Sequence, residues 1–278
     1  MKANRILLTL VLTAISFLLI FGQLGGVAVN AAPAMSPLPG AAAPEAPLPR
    51  PAATPEAPLP QLQQRKATSK PSPDRSKPGP ALVARIPHDL PVTAHPGGGK
   101  VIGTMPAGSK YFGEPLQTWI LDTSSNHRFG KVTIPFSGQR GTGWIRVAGL
   151  DLARNPYSVR ADLSRHVVRV MRLDKEIMRF PAATGAPSSP TPTGRYFVTD
   201  RIEIAPGSSF GSYAFGLSGI QTRLPAGWSG GDQLAIHGTS DPSSIGTSAS
   251  AGCLRVSESA LDQLKPLLTL GTPIIVEP

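Results

Sequence analysis

The chain has 278 residues, 31 of them Pro, with 16% charged side chains and a net charge of +10. Of its 16 aromatic residues only Phe17 and Phe21 precede Tyr111, and 14 prolines fall between Pro33 and Pro80, which excludes a buried core before about residue 80. Residues 1–80 hold eight Lys/Arg against three Asp/Glu and the remainder 19 against 14, with no basic stripe interleaved with aromatics, so no nucleic-acid partner is expected.

The N-terminus has the pattern of an export signal. Lys2 and Arg5 precede an apolar run from Ile6 to Phe21, and small residues follow at Ala31-Ala32. The run is also close to the length of a membrane span, so residues 1–31 read as a signal peptide or, through 6–21, as a membrane anchor. Either way the rest of the chain is expected outside the cytoplasm, secreted to the wall or periplasm. Residues 32–80 read as a disordered Pro/Ala-rich linker. Pro-Glu-Ala-Pro-Leu-Pro occurs twice there, at 44–49 and 55–60, and such tracts favour extended polyproline conformation over a fold.

Residues 82–152 read as short strands and turns. Val92-Thr93-Ala94, Val101-Ile102-Gly103, Trp119-Ile120-Leu121, Lys131 to Ile134 and Gly143 to Val147 are β-type runs separated by turn residues. Their order resembles a small bacterial SH3-like barrel, with Trp144 in its core. Its expected role, with the linker, is delivery rather than chemistry. Residues 155–278 open as a β-meander: Tyr157 to Leu163, His166 to Met171, a turn at Asp174-Lys175, and a return over Glu176 to Ala183. Ser257 can cap a short helix through Leu268, with Leu261, Leu264 and Leu268 on one face and Pro266 inside it ending its regular hydrogen bonding. Pro273 to Val276 reads as a last buried strand. The predicted fold is therefore mainly β.

The single cysteine, Cys253, cannot form an internal disulfide, so in an exported chain it is either buried and inert or used. A catalytic thiol needs a nearby base or cation, because only a few per cent is thiolate at neutral pH. His237 stands 16 residues upstream, across a Ser/Gly/Pro-rich loop that can bring the two together. Gly252 allows close backbone approach to a substrate carbonyl, with N–H groups suited to an oxyanion. Arg255 can favour thiolate or grip a carboxylate. The other histidines, His88, His95, His127 and His166, have surface or structural settings.

The stretch His237-Gly238-Thr239, Ser244-Ile245-Gly246 and Ser250-Ala251-Gly252-Cys253-Leu254-Arg255 resembles the active-site signature of the L,D-transpeptidase catalytic domain (YkuD-type) family. Ala183-Thr184-Gly185 and Pro190-Thr191-Pro192-Thr193-Gly194 resemble that family's upstream elements. The resemblance spans about 155–277. It implies a β-rich catalytic domain over 155–278, preceded by the SH3-like domain over 82–152. It implies that Cys253 attacks the carbonyl before D-Ala in a peptidoglycan stem tetrapeptide, forms a thioester and passes the acyl group to an amine. His237 would be the base and the Gly238 carbonyl its orienter. The N–H groups of Gly252 and Cys253 would form the oxyanion hole, and Arg255, Thr239 and Ser250 would contact substrate. No metal or cofactor is implied. Stem peptides are the implied partner, with anionic wall polymers a second. One departure stands out: the family usually has His where this chain has Ala251. That leaves open a wall-binding relative without turnover, or a thiol hydrolase of the same peptides.

Overall fold

Strands dominate the computed structural model, which describes residues 79–138 and 141–278. The predicted signal or anchor and nearly all of the predicted linker lie outside the described residues. Among the described residues no helix is long and apolar enough to cross a membrane.

The N-terminal part contributes eight strands: β1 (Ala81–Arg85), β2 (Leu90–His95), β3 (Gly98–Met105), β4 (Gln117–Ile120), β5 (Asp122–Thr123), β6 (Phe129–Thr133), β7 (Thr142–Arg146) and β8 (Leu152–Asn155). They form a five-stranded sheet in the order β3-β2-β7-β6-β5 and a three-stranded sheet in the order β4-β1-β8. Alternating side chains meet in one small core that includes Val92, Met105, Leu116, Val132 and Ile145. The residue of the Gly-Trp-Ile strand that enters this core is Ile145, fully buried. Trp144 is only half-buried, because successive strand residues point to opposite faces. Phe197, from the C-terminal sheet, packs into the same core, and Phe136 N–H donates to the Ser218 carbonyl at 2.8 Å.

The C-terminal part is built on an eight-stranded sheet. Its strands are β9 (Tyr157–Asp162), β10 (Val167–Arg172), β11 (Lys175–Pro181), β13 (Gly194–Glu203), β14 (Tyr213–Ile220), β15 (Gln233–His237), β17 (Leu254–Arg255) and β18 (Pro273–Glu277). Their order is β11-β10-β9-β18-β13-β14-β15-β17. A short parallel pair, β12 (Thr184–Gly185) with β16 (Ser248–Ser250), stands beside it. The predicted meander is present, with its turn one residue earlier than expected. Arg172 pairs with Lys175, and Leu173 and Asp174 take φ of 49° and 63°, the left-handed pair of a two-residue hairpin. The predicted last strand lies inside the sheet, between β9 and β13.

The one α-helix among the described residues, α1 (Glu258–Leu264), starts where Ser257 Oγ accepts from Ala260 N–H at 3.2 Å. It ends at Lys265, just before Pro266, which has no N–H to continue the ladder. Leu261, Leu264 and Leu268 are completely buried against the sheet, in a core that also holds Phe215, Ile236 and Leu254.

Candidate active site

Parallel pairing of β15 with β17 brings the histidine and cysteine segments side by side. Ile236 pairs with Leu254 and His237 with Arg255, so Cys253 stands immediately before β17. Period-two alternation then sorts the side chains. Ile236 and Leu254 enter the core, while Ala235, His237 and Cys253 line one cavity of about 530 Å³ on the other face. The fifteen residues between His237 and Cys253 are thus closed into a loop by two ladder registers.

His237 is 3% exposed. Its Nδ1 lies 2.6 Å from the Gly238 carbonyl oxygen. A carbonyl can only accept, so Nδ1 carries the proton and Nε2 is the basic nitrogen of the neutral ring. The Phe210 ring meets the imidazole edge-on, 5.0 Å between centroids. Burial takes the His237 pKa from 6.5 down to about 4; the Gly238 carbonyl opposes this, Arg255 adds to it, and the backbone of Phe210 opposes it. Cys253 is half-buried, and its Sγ donates to the Gln233 carbonyl at 3.9 Å. Burial pushes the thiol pKa up, against a backbone hydrogen bond at Ala235 and the charge of Arg255. The resting pair is therefore a thiol and a neutral imidazole.

The remaining predicted residues divide. Gly238 is buried where two backbones meet: a Cβ there would lie 2.9 Å from Gly211 Cα and would also strike Glu258. Gly252 takes φ +119° and is buried, so an L side chain is strained there. Its N–H donates to Ser250 Oγ at 3.0 Å, and the same hydroxyl donates to the Cys253 carbonyl at 2.6 Å. Ser250, buried and outside the cavity lining, ties the Cys253 loop together, and the Gly252 N–H predicted for an oxyanion is engaged within that loop. Thr239 is likewise turned inward, its Oγ1 accepting from Asp241 N–H at 3.0 Å. Arg255, half-buried on β17, acts on both His237 and Cys253 through its charge. Of the other histidines, His88, His95 and His127 are exposed, and His166 Nδ1 lies 3.1 Å from Thr184 Oγ1.

Three contributors are absent from the sequence reading. Gln221 is buried, and its Nε2 donates to the Pro190 carbonyl at 2.9 Å and towards the Ala251 carbonyl at 3.4 Å. Its amide also fills the space a Gly252 side chain would need. Gln233 Nε2 donates to Asp200 Oδ2 at 2.8 Å and to the Leu217 carbonyl at 3.1 Å, fixing the segment whose carbonyl meets the thiol. The third is the loop between β3 and β4, whose Tyr111 and Phe112 line the cavity. These two rings bring the N-terminal β region to the edge of the cavity. None of the three has a local motif, because each reaches the site only through folding. The predicted Thr184-Gly185 element does lie beside the site: Ala186 N–H donates to the Ser250 carbonyl at 2.8 Å, and Gly185 N–H to Thr191 Oγ1 at 2.8 Å.

A buried, singly basic histidine and a thiol sharing one cavity at the edge of a β-sheet form a set suited to cysteine acyl transfer. Residues 156–276 match the family model of YkuD, the L,D-transpeptidase catalytic domain. The YkuD protein of Bacillus licheniformis is 29% identical over 123 residues, covering 44% of this chain and 67% of that protein. The YkuD protein of Bacillus subtilis is 26% identical over 121 residues, covering 44% and 66%. Among solved structures, L,D-transpeptidase 3 from Mycobacterium tuberculosis in complex with a faropenem-derived adduct is 16% identical, covers 62% of this chain and 78% of that one, and has a TM-score of 0.39. The chain thus spans about two thirds of the length of its two curated relatives.

Proposed function

We propose that this protein is an exported L,D-transpeptidase acting on peptidoglycan stem peptides through a Cys253 thioester. The observation that carries the reading is the placement of Cys253 and His237 on one cavity, with Nε2 of His237 left as its basic nitrogen. In the first step His237 takes the thiol proton as sulfur attacks the carbonyl before the terminal D-Ala. The S–C bond forms, the C–N bond breaks, and the proton passes to the departing amine. In the second step an acceptor amine attacks the thioester, loses its proton to His237 and releases the thiol. Because both groups rest uncharged, proton transfer accompanies attack rather than preceding it. The positive charge of Arg255 favours the thiolate as it develops. The Cys253 N–H remains the oxyanion donor of choice, with Gly252 joining only if Ser250 releases it.

Gln221 supports the same reading where the chain departs from its family. With Ala at 251, the carbonyl of that residue is held by the Gln221 amide, which steadies the nucleophile loop without an imidazole. The N-terminal signal and linker fit export and tethering to the wall, and residues 82–152 fit a small SH3-like domain beside the catalytic domain.

The test is incubation of the full chain with disaccharide-tetrapeptide and an acceptor amine, followed by mass analysis. Release of D-Ala with a cross-linked product, lost in Cys253→Ala, is expected. Release of D-Ala with only a shortened peptide would make it a hydrolase. No release, with the thiol unreactive until denaturation, would leave a wall-binding protein.

A further inference from the structure

The cavity has two unlike sides. Its floor is the strand pair carrying His237 and Cys253; its outer rim is exposed and apolar. Among the described residues nine large hydrophobic side chains are exposed, and four of them, Tyr111, Phe112, Leu224 and Trp228, line this one cavity, at 50%, 55%, 37% and 38% exposure. Exposed apolar groups gathered at one mouth mark a contact surface, since scattered ones would be the ordinary case. Two of the four come from the loop between β3 and β4, in the N-terminal β region. The other two come from the segment between β14 and β15.

These two loops are joined by a defined clasp. Lys110 Nζ lies 2.8 Å from Asp232 Oδ1, and Tyr111 Oη donates to the same oxygen at 2.6 Å. The Lys110 ammonium also sits 5.1 Å from the Tyr111 ring centre, and a Cβ on Gly231 would come within 3.8 Å of that ring. Trp228 Nε1 donates to the Gly231 carbonyl at 2.7 Å, so both aromatic residues are referred to one short stretch of backbone. The stretch leads into the site. The Asp232 carbonyl accepts from Gln221 N–H at 2.7 Å, Gln221 packs on Gly252, and the next residue, Gln233, supplies the carbonyl that meets the Cys253 thiol.

We infer that the loop between β3 and β4 is a substrate-binding element of the Cys253 site, positioned by the Lys110–Asp232–Tyr111 clasp, and that it holds the extended part of an acyl-donor peptide beyond the residue joined to sulfur. The inference rests on the acyl-transfer reading of Cys253. The ion pair neutralises both charges, so what the loop offers a ligand is apolar surface and ring faces, suited to the aliphatic and amide stretches of a peptide. A ligand small enough to occupy only the floor gains little from it. Lys110 and Asp232 act through the loop and are positioning residues.

The experiment compares two acyl donors on the full chain: a small penem such as faropenem, which reaches only the floor, and a disaccharide-tetrapeptide. For Tyr111→Ala with Phe112→Ala, the preference for tetrapeptide over penem should fall about five- to tenfold, carried by KM rather than kcat. Asp232→Asn should lower the same preference about two- to fivefold, and the exchanged pair Lys110→Asp with Asp232→Lys should restore part of it. An unchanged preference in all variants, while the unaltered chain turns over, overturns this inference alone. Penem and peptide falling together also overturns it, because the loop would then support only the fold. No turnover and no penem adduct with the unaltered chain overturns the acyl-transfer reading and this inference with it.

Discussion

The two walls of the cavity differ in how they are held. The wall carrying His237 and Cys253 is fixed by parallel ladder bonds, by a histidine 3% exposed, and by the Gln221, Gln233 and Ser250 contacts behind it. The opposite wall consists of loop side chains a third to a half exposed, joined by one half-exposed ion pair. Burial raises electrostatic stakes and removes conformational freedom, which suits bond making. Exposed loop residues adapt at low cost, which suits holding a long ligand. On the proposed function, the difference teaches that reactivity and reach are built from separate materials in this molecule and should fail separately.

The largest expected break is on the buried wall. His237→Ala should slow acylation of Cys253 about 10²- to 10⁴-fold, the usual contribution of a general base, measured as single-turnover adduct formation by mass. A loss equal to that of the clasp variants would place both walls on the same footing and end the contrast.

The pH response sharpens it. With the His237 pKa at about 4, the acid limb of acylation should fall near pH 4 rather than near 6.5. The same shift makes stability pH-dependent. Between about pH 6.5 and 4 the unfolded chain takes up a proton that the folded chain refuses, so stability is full above this window and falls as pH drops through it. The full loss is about 3 kcal/mol. Denaturant unfolding at pH 7 and pH 4.5, compared with His237→Gln, checks it: the difference between pH values should shrink in the variant. An acid limb near 6.5 would indicate a histidine far less buried than this.

Gly252→Ala probes the backbone of the same wall. Its φ of +119° and the Gln221 amide beside it together should cost about 1–3 kcal/mol, read as a lower unfolding midpoint with slower acylation. The smallest expected effect lies outside both walls. Removing residues 32–78 should leave turnover of soluble disaccharide-tetrapeptide unchanged, and a clear fall would give the predicted linker a part in the site.

The sequence carried much of the C-terminal fold in local signals. Ser257 with the three leucines marked the helix, Pro266 marked its end, and the β-type runs marked the meander. The turn was misplaced by one residue because Leu173, with no turn propensity of its own, takes a left-handed conformation that the strand pairing imposes. Trp144 was expected in the core because size suggests burial, but strand alternation gave that place to Ile145. His237, Gly238 and Cys253 were legible because they sit in one contiguous motif.

What the sequence by itself determined was composition, β-class, the motif that holds His237 and Cys253, and the departure at Ala251, all properties of neighbours along the chain. Only the tertiary structure decided which groups surround that pair. Gln221, Gln233, Phe210 and the Lys110–Tyr111–Phe112 loop reach the site from separate strands and loops, and their contacts depend on sheet order and register. Tertiary structure also decided the charge states. Burial, which no motif encodes, pushes the His237 pKa down and the Cys253 pKa up, and so sets a neutral pair in place of an ionic one.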